Sequence, residues 1–153
     1  LQTRFRKLEE GPYDAIVLAA AGVHRLGWRD RVTQYLDHTV PAVGQAILGV
    51  ECRTEDAESQ ALLMPLILPA VEAAKTAERS VLRTLEGGCQ LPLGAHARPT
   101  GPDTFALHGI VLSPDGERVV EARRVFSTTQ AESAGTALGE ELLTNGARDI
   151  LLA

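Results

Sequence analysis

Two textures of apolar and polar positions follow one another along the chain. Leu1 to Glu10 sets Phe5 and Leu8 on one helical face, turns Arg4, Arg6 and Lys7 elsewhere, and is stopped by Gly11-Pro12. From Tyr13 to Ala21 the apolar residues are continuous rather than alternating, the pattern of a strand buried on both faces in a parallel sheet flanked by helices. A short helix begins at Val23 to Gly27, and Trp28 to Leu36 reads as another. Pro41-Ala42-Val43-Gly44-Gln45 is a turn leading into a second buried strand, Ile47 to Cys52. Thr54 is placed to cap the next helix, with Glu55 and Asp56 in its first turn. That helix carries Ala57, Ala61, Leu62 and Leu66 and ends around Pro65 to Pro69. A longer one from Ala70 to Leu85 presents Val71, Ala74, Val81, Leu82 and Leu85 at helical spacing.

Beyond residue 90 the period shortens. Leu93 to Pro99, Thr104 to Leu112 and Glu117 to Ser127 read as strands, separated by Gly101-Pro102-Asp103 and Pro114-Asp115-Gly116. Together they predict a three-stranded antiparallel meander. Thr129-Gln130-Ala131-Glu132 has the form of a capping box opening a helix with Ala131, Ala134, Leu138 and Leu142 on one face, closed by Gly146. The expected fold class is therefore α/β plus α+β: an incomplete α/β portion over residues 1–68, then a small α+β domain over residues 69–153, with the boundary near Pro69.

Composition narrows the function classes. Apolar residues make up 44% and charged residues 23%, a balance that suits a packed core rather than disorder. A net charge of −5 with 4% aromatics argues against a nucleic-acid partner, while leaving room for a local arginine cluster. Cys52 and Cys89 form neither a CxxC pair nor a disulfide framework, which points to a reduced, cytoplasmic setting. The longest apolar runs are too short to span a membrane. The chain starts at Leu1 within what reads as the body of a helix, as though cut from something longer.

Most familiar chemical signatures are absent: there is no GxGxxG, phosphate-binding loop, GxSxG or HExxH. His24, His38, His96 and His108 lack ligand spacing, so no metal is expected. Glu51 and Glu86 are each readable as an acid or base, or as a surface carboxylate. The stretch that stands out is Leu85-Glu86-Gly87-Gly88-Cys89-Gln90-Leu91-Pro92, a helix end, a Gly pair, a thiol and a proline. Two readings fit Cys89: a thiol on an uncrowded hinge able to carry a sizeable group, or a small buried residue after a Gly C-cap. Arg25 follows the carboxyl end of an expected strand, where anions collect in open α/β sheets, and equally fits a solvated arginine. A nucleophilic thiol with arginines suited to gripping carboxylates suggests covalent attachment of a carboxylate-rich group.

Several of these stretches occur together in one order. Tyr13-Asp14-Ala15-Ile16-Val17-Leu18-Ala19-Ala20-Ala21-Gly22, Pro41-Ala42-Val43-Gly44-Gln45, Leu48-Gly49-Val50-Glu51-Cys52-Arg53, Ala77-Glu78-Arg79 and Leu85-Glu86-Gly87-Gly88-Cys89-Gln90 resemble hydroxymethylbilane synthases, also called porphobilinogen deaminases. The match continues to Gly146-Ala147-Arg148-Asp149-Ile150-Leu151 and corresponds to the carboxyl-terminal half of the family's protein.

The resemblance implies three domains in the whole protein, the first two like a periplasmic binding protein and the third a small α+β domain bearing the cofactor cysteine. Cys89 would hold a dipyrromethane through a thioether, with Gly88 beside it. Four porphobilinogen units would be added to it with loss of ammonia, and the growing oligopyrrole released by hydrolysis as the linear tetrapyrrole. Arg4 matches the family's Thr-Arg-Leu arginine and Arg25 the one after Ala-Gly, both implied to contact pyrrole carboxylates, while Gln45 lies in the PAVGQ turn lining the same cleft. The catalytic aspartate belongs to the family's amino-terminal half, so no catalytic residue is expected in this chain, which alone should be inactive. A cytoplasmic monomer is the expectation for the full-length protein. This chain departs from the pattern at Ala46, where Gly is usual, and at Ile67-Leu68, Pro69 and Val71. The competing reading is a degenerate module that binds a carboxylated ligand or a protein partner without turnover.

Overall fold

Alternation along residues 93–127 produces the sheet that organises the molecule. The computed structural model describes residues 1–86 and 91–152. Strands β1 (Leu93–Gly101), β2 (Thr104–Leu112) and β3 (Val119–Ser127) pair antiparallel in the order β1-β2-β3, as the turn signals predict. Register is fixed by the buried face: Phe105 stands opposite Phe126, with the two rings stacked 5.1 Å apart, and Gly109 stands opposite Ala122. The β2–β3 turn is held by Ser113, whose N–H donates to the Arg118 carbonyl at 2.9 Å and whose hydroxyl accepts from the Arg118 N–H.

Two helices cover one face of the sheet, α4 (Pro69–Thr84) and α5 (Ala131–Leu142). Leu107 and Val111 from β2, Val81 from α4, and Leu138 and Leu142 from α5 form the centre of the core. The helices approach closely because α5 carries glycine where they meet. A β-carbon at Gly135 would sit 2.2 Å from the Ala77 carbonyl oxygen, and one at Gly139 2.6 Å from the Thr84 side chain. This contact rotates α4 from the expected face: Ala73, Ala77 and Ser80 are buried and Val71 is exposed. The α5 face is the expected one, but its capping box lies two residues earlier. Ser127 and Gln130 cap a short 3-10 turn that runs into the helix, and the Asp103 carboxylate accepts from the Thr128 N–H at 3.1 Å. Gly146, at φ 104°, turns the chain into α6 (Arg148–Leu151).

The two expected buried strands are absent. Neither Tyr13 to Ala21 nor Ile47 to Cys52 joins a ladder, and both are irregular or extended apart from the start of helix α2 (Ala20–Arg25). Val17 is 74% exposed and Leu48 85% exposed. A strand is defined by the neighbour that takes its backbone hydrogen bonds, and among the described residues no strand pairs with either stretch.

Other differences are local. Trp28 to Leu36 holds a single 3-10 turn, Arg29–Arg31, rather than a helix. The Trp28 ring meets Phe5 edge-on at 5.1 Å and the Arg31 guanidinium lies 4.3 Å from the centre of the Phe5 ring, so packing on α1 (Gln2–Glu10) overrides helical spacing. The cap of α3 (Ala57–Leu63) is Asp56 rather than Thr54. Its carboxylate accepts from the Ser59 N–H at 3.0 Å and from the Ser59 hydroxyl, which hold its pKa below the ordinary 3.8.

The chain divides into two compact units, Leu1–Thr39 and Val40–Ala153. Residues 40–46 belong to the second because they are fastened to its α4 and β1. No described helix is long and apolar enough to cross a membrane.

Candidate functional site

The segment that α4 delivers and β1 takes up again is the one the sequence singles out. Pro69 at the helix start, Glu72 in the first turn and the Glu72–Lys75 pair favour α4. Its last turn closes with the Leu85 N–H on the Val81 carbonyl at 3.0 Å and Leu85 buried in the core. The residue that leaves the helix in the left-handed conformation is Glu86, at φ 52°, where sequence reasoning expects a glycine to do so. Gly88 and Cys89 lie outside the described residues. The Pro92 carbonyl accepts from the Leu112 N–H at 2.9 Å, tying the start of β1 to β2.

The turn carrying Gln45 is seated against these elements. Gly44 and Ala46 both have positive φ, 75° and 64°, and between them the exposed Gln45 makes one long backbone bond, its N–H to the Ala42 carbonyl at 3.3 Å. The glycine that the resemblance leads one to expect at 46 would suit this geometry, since only glycine adopts it without a β-carbon penalty. At Gly94 a β-carbon would lie 2.9 Å from the Pro41 carbonyl oxygen and 3.0 Å from that of Val40, so the turn's first residues rest directly on β1.

Glu78 joins the three parts. It is only 4% exposed, and its Oε2 accepts from the Gly44 N–H at 2.9 Å while its Oε1 accepts from the Ala97 N–H at 2.9 Å. The His96 Nδ1 lies 3.4 Å from Oε1. Sequence reasoning assigned Glu78 no role beyond its place in the Ala77-Glu78-Arg79 motif. The signal was present, because Glu78 falls at i+4 from Ala74 and i−3 from Val81, on a helical face otherwise apolar.

The remaining site residues lie in the first unit. Arg4 is exposed on α1, and Arg25 is exposed in the last turn of α2 (Ala20–Arg25). Arg31, Arg83 and Arg124 engage Glu9, Glu132 and Glu141, but neither Arg4 nor Arg25 has a carboxylate partner among the described residues. Next to Arg25, His24 Nε2 meets the Tyr35 hydroxyl at 2.7 Å. Glu51 and Cys52 are exposed on the irregular 47–53 stretch. Among the described residues no group of three or more His, Cys, Asp and Glu side chains is placed to hold a metal.

Comparison with known proteins covers nearly the whole chain. Residues 1–61 match the family model described as "Porphobilinogen deaminase, dipyromethane cofactor binding domain", and residues 73–144 match "Porphobilinogen deaminase, C-terminal domain". A curated porphobilinogen deaminase from Syntrophobacter fumaroxidans is 52% identical over 153 residues, an alignment spanning 99% of this chain and 49% of the relative. The chain thus spans about half the length of the curated relative it matches. Two adjoining domain models in the family's order, with this identity from end to end, place the chain in the porphobilinogen deaminase family.

Proposed function

We propose that this chain is the carboxyl-terminal part of a hydroxymethylbilane synthase and carries its cofactor anchor. The observation that carries the reading is the 52% identity to a porphobilinogen deaminase over the full chain. The whole protein condenses four porphobilinogen units head to tail with release of ammonia, giving linear hydroxymethylbilane. The dipyrromethane, when bound, supplies the primer from which the oligopyrrole grows. Cys89 holds it by a thioether, a bond that resists the hydrolysis releasing the product. Arg4 and Arg25 bind pyrrole carboxylates, an assignment supported by their exposure and by the lack of ion-pair partners among the described residues. Gln45 and Gly88 are assigned to cofactor binding on their place in the family motifs.

The domain reading is a proposal of the same kind. A periplasmic-binding-protein-like portion contributes residues 1–68, and the cofactor-attachment domain begins at Pro69. The two family matches, which end at residue 61 and resume at residue 73, support a junction there. The exposed apolar stretches 13–21 and 47–52 suit strands whose sheet is completed by the family's other half. We place the full-length protein in the cytoplasm as a monomer acting on porphobilinogen, without a nucleic-acid partner.

Joining this chain to the amino-terminal half of the Syntrophobacter relative tests the reading. The joined protein should convert porphobilinogen to hydroxymethylbilane, the 153-residue chain alone should not, and Cys89→Ala should abolish conversion. Arg25→Ala should raise KM for porphobilinogen. Unchanged turnover in the Cys89→Ala protein would defeat the proposal.

A further inference from the structure

A buried carboxylate is expensive to keep unless several donors hold it, and an apolar residue at position 78 would join the core of α4 more cheaply. Glu78 is nonetheless there, and both of its oxygens are committed to backbone N–H groups on two separate pieces of chain, Gly44 and Ala97. Ala97 is in β1, an edge strand with β2 as its one neighbour among the described residues. Glu78 therefore takes up an amide on the free side of the sheet and, with its other oxygen, the turn at Gly44. That turn does little to hold itself. It has two left-handed residues and one internal backbone bond, at 3.3 Å.

We propose that Glu78 is a positioning residue that holds the Pro41–Ala46 turn in register with α4 and β1, the two elements between which the Cys89 segment runs. The turn presents Gln45, so one carboxylate sets where that glutamine stands relative to α4 and β1. This consequence for ligand placement rests on the role proposed for Gln45 above. The fastening itself does not.

Site-resolved amide hydrogen exchange of the 153-residue chain, with no ligand added, tests the fastening. In the unaltered chain the Gly44 amide should be protected, although its turn is at the surface. Glu78→Ala should speed exchange at both Gly44 and Ala97 by about tenfold or more, the effect of losing a hydrogen bond to a charged group. Glu78→Gln keeps the shape but has one acceptor oxygen, so it should release one of the two amides while Leu107 and Val111 in β2 keep their rates. His96→Ala leaves both amide bonds in place and should leave Gly44 protected. If Glu78→Ala fails to fold, the unaltered chain and Glu78→Gln decide. An unprotected Gly44 in the unaltered chain overturns the proposal, as does Glu78→Gln releasing neither amide. Equal acceleration of Gly44, Ala97, Leu107 and Val111 would show a general loss of stability and overturn it too. Since exchange is read without cofactor or substrate, its failure is distinguishable from the absence of a cofactor on Cys89.

Discussion

Phe105, Leu107 and Val111 in β2 and Ile16, Val17 and Leu18 before α2 are equally apolar, yet they meet opposite fates. The first three are sealed beneath α4 and α5, whereas Val17 is 74% exposed and its neighbours are partly covered. The difference lies in partners rather than in hydrophobicity. β2 has a strand on each side and two helices above it, all from residues 69–152. The stretches 13–21 and 47–52 have no pairing strand among the described residues. The carboxyl-terminal region is a finished core, and the stretches before it retain the composition of core strands without their sheet.

The sharpest way to break this comparison is to truncate one side chain in each region. Leu138→Ala removes a fully buried side chain from the finished core and should cost about 2–5 kcal/mol in chemical denaturation. Leu48→Ala, at a position 85% exposed, should change stability by no more than about 0.5 kcal/mol. Equal losses at the two positions would erase the distinction. Next in size is Gly135→Ala, whose methyl would meet the Ala77 carbonyl at 2.2 Å and force α4 and α5 apart, at a cost of about 1–3 kcal/mol in melting experiments. A neutral result would mean that the helices are not held at this separation.

Smaller effects test the turns. Ala46→Gly relieves a left-handed alanine at φ 64° and should stabilise by about 0.5 kcal/mol, the relief being partly offset by the freer unfolded chain. The least costly change is at Asp103. The Thr128 hydroxyl and N–H hold its carboxyl below the ordinary 3.8, so its contribution is fully present above that value and lost as pH falls through the lower folded-state pKa. Asp103→Asn should flatten the acid limb of a stability-versus-pH curve below about pH 4 and leave its slope at neutral pH unchanged. An unaltered acid limb would remove this role.

Period and punctuation made the meander and α5 legible, because each of those elements finds its partners within residues 69–152. The helical face of α4 was less so. Spacing counts Val71 as apolar, but the close approach of Gly135 and Gly139 favours the small side chains Ala73, Ala77 and Ser80. The stretches 13–21 and 47–52 have the composition of buried strands, but pairing needs a neighbouring strand, and among the described residues none pairs with them. For the proposed site, the motifs single out Arg4, Arg25, Gln45, Gly88 and Cys89 as candidates. They did not disclose Glu78, whose importance comes from amides 34 and 19 residues away along the chain. Nor did they explain Ala46, whose conformation is a property of the folded turn.

Cys89 is the proposed anchor of the dipyrromethane. The most direct test of that role is peptide-level mass spectrometry of the chain joined to the amino-terminal half of the Syntrophobacter relative and supplied with porphobilinogen. An added dipyrromethane is expected on the peptide containing Cys89, absent from Cys89→Ser and absent from the peptide containing Cys52. An unmodified Cys89 in a folded protein that turns over porphobilinogen would contradict it.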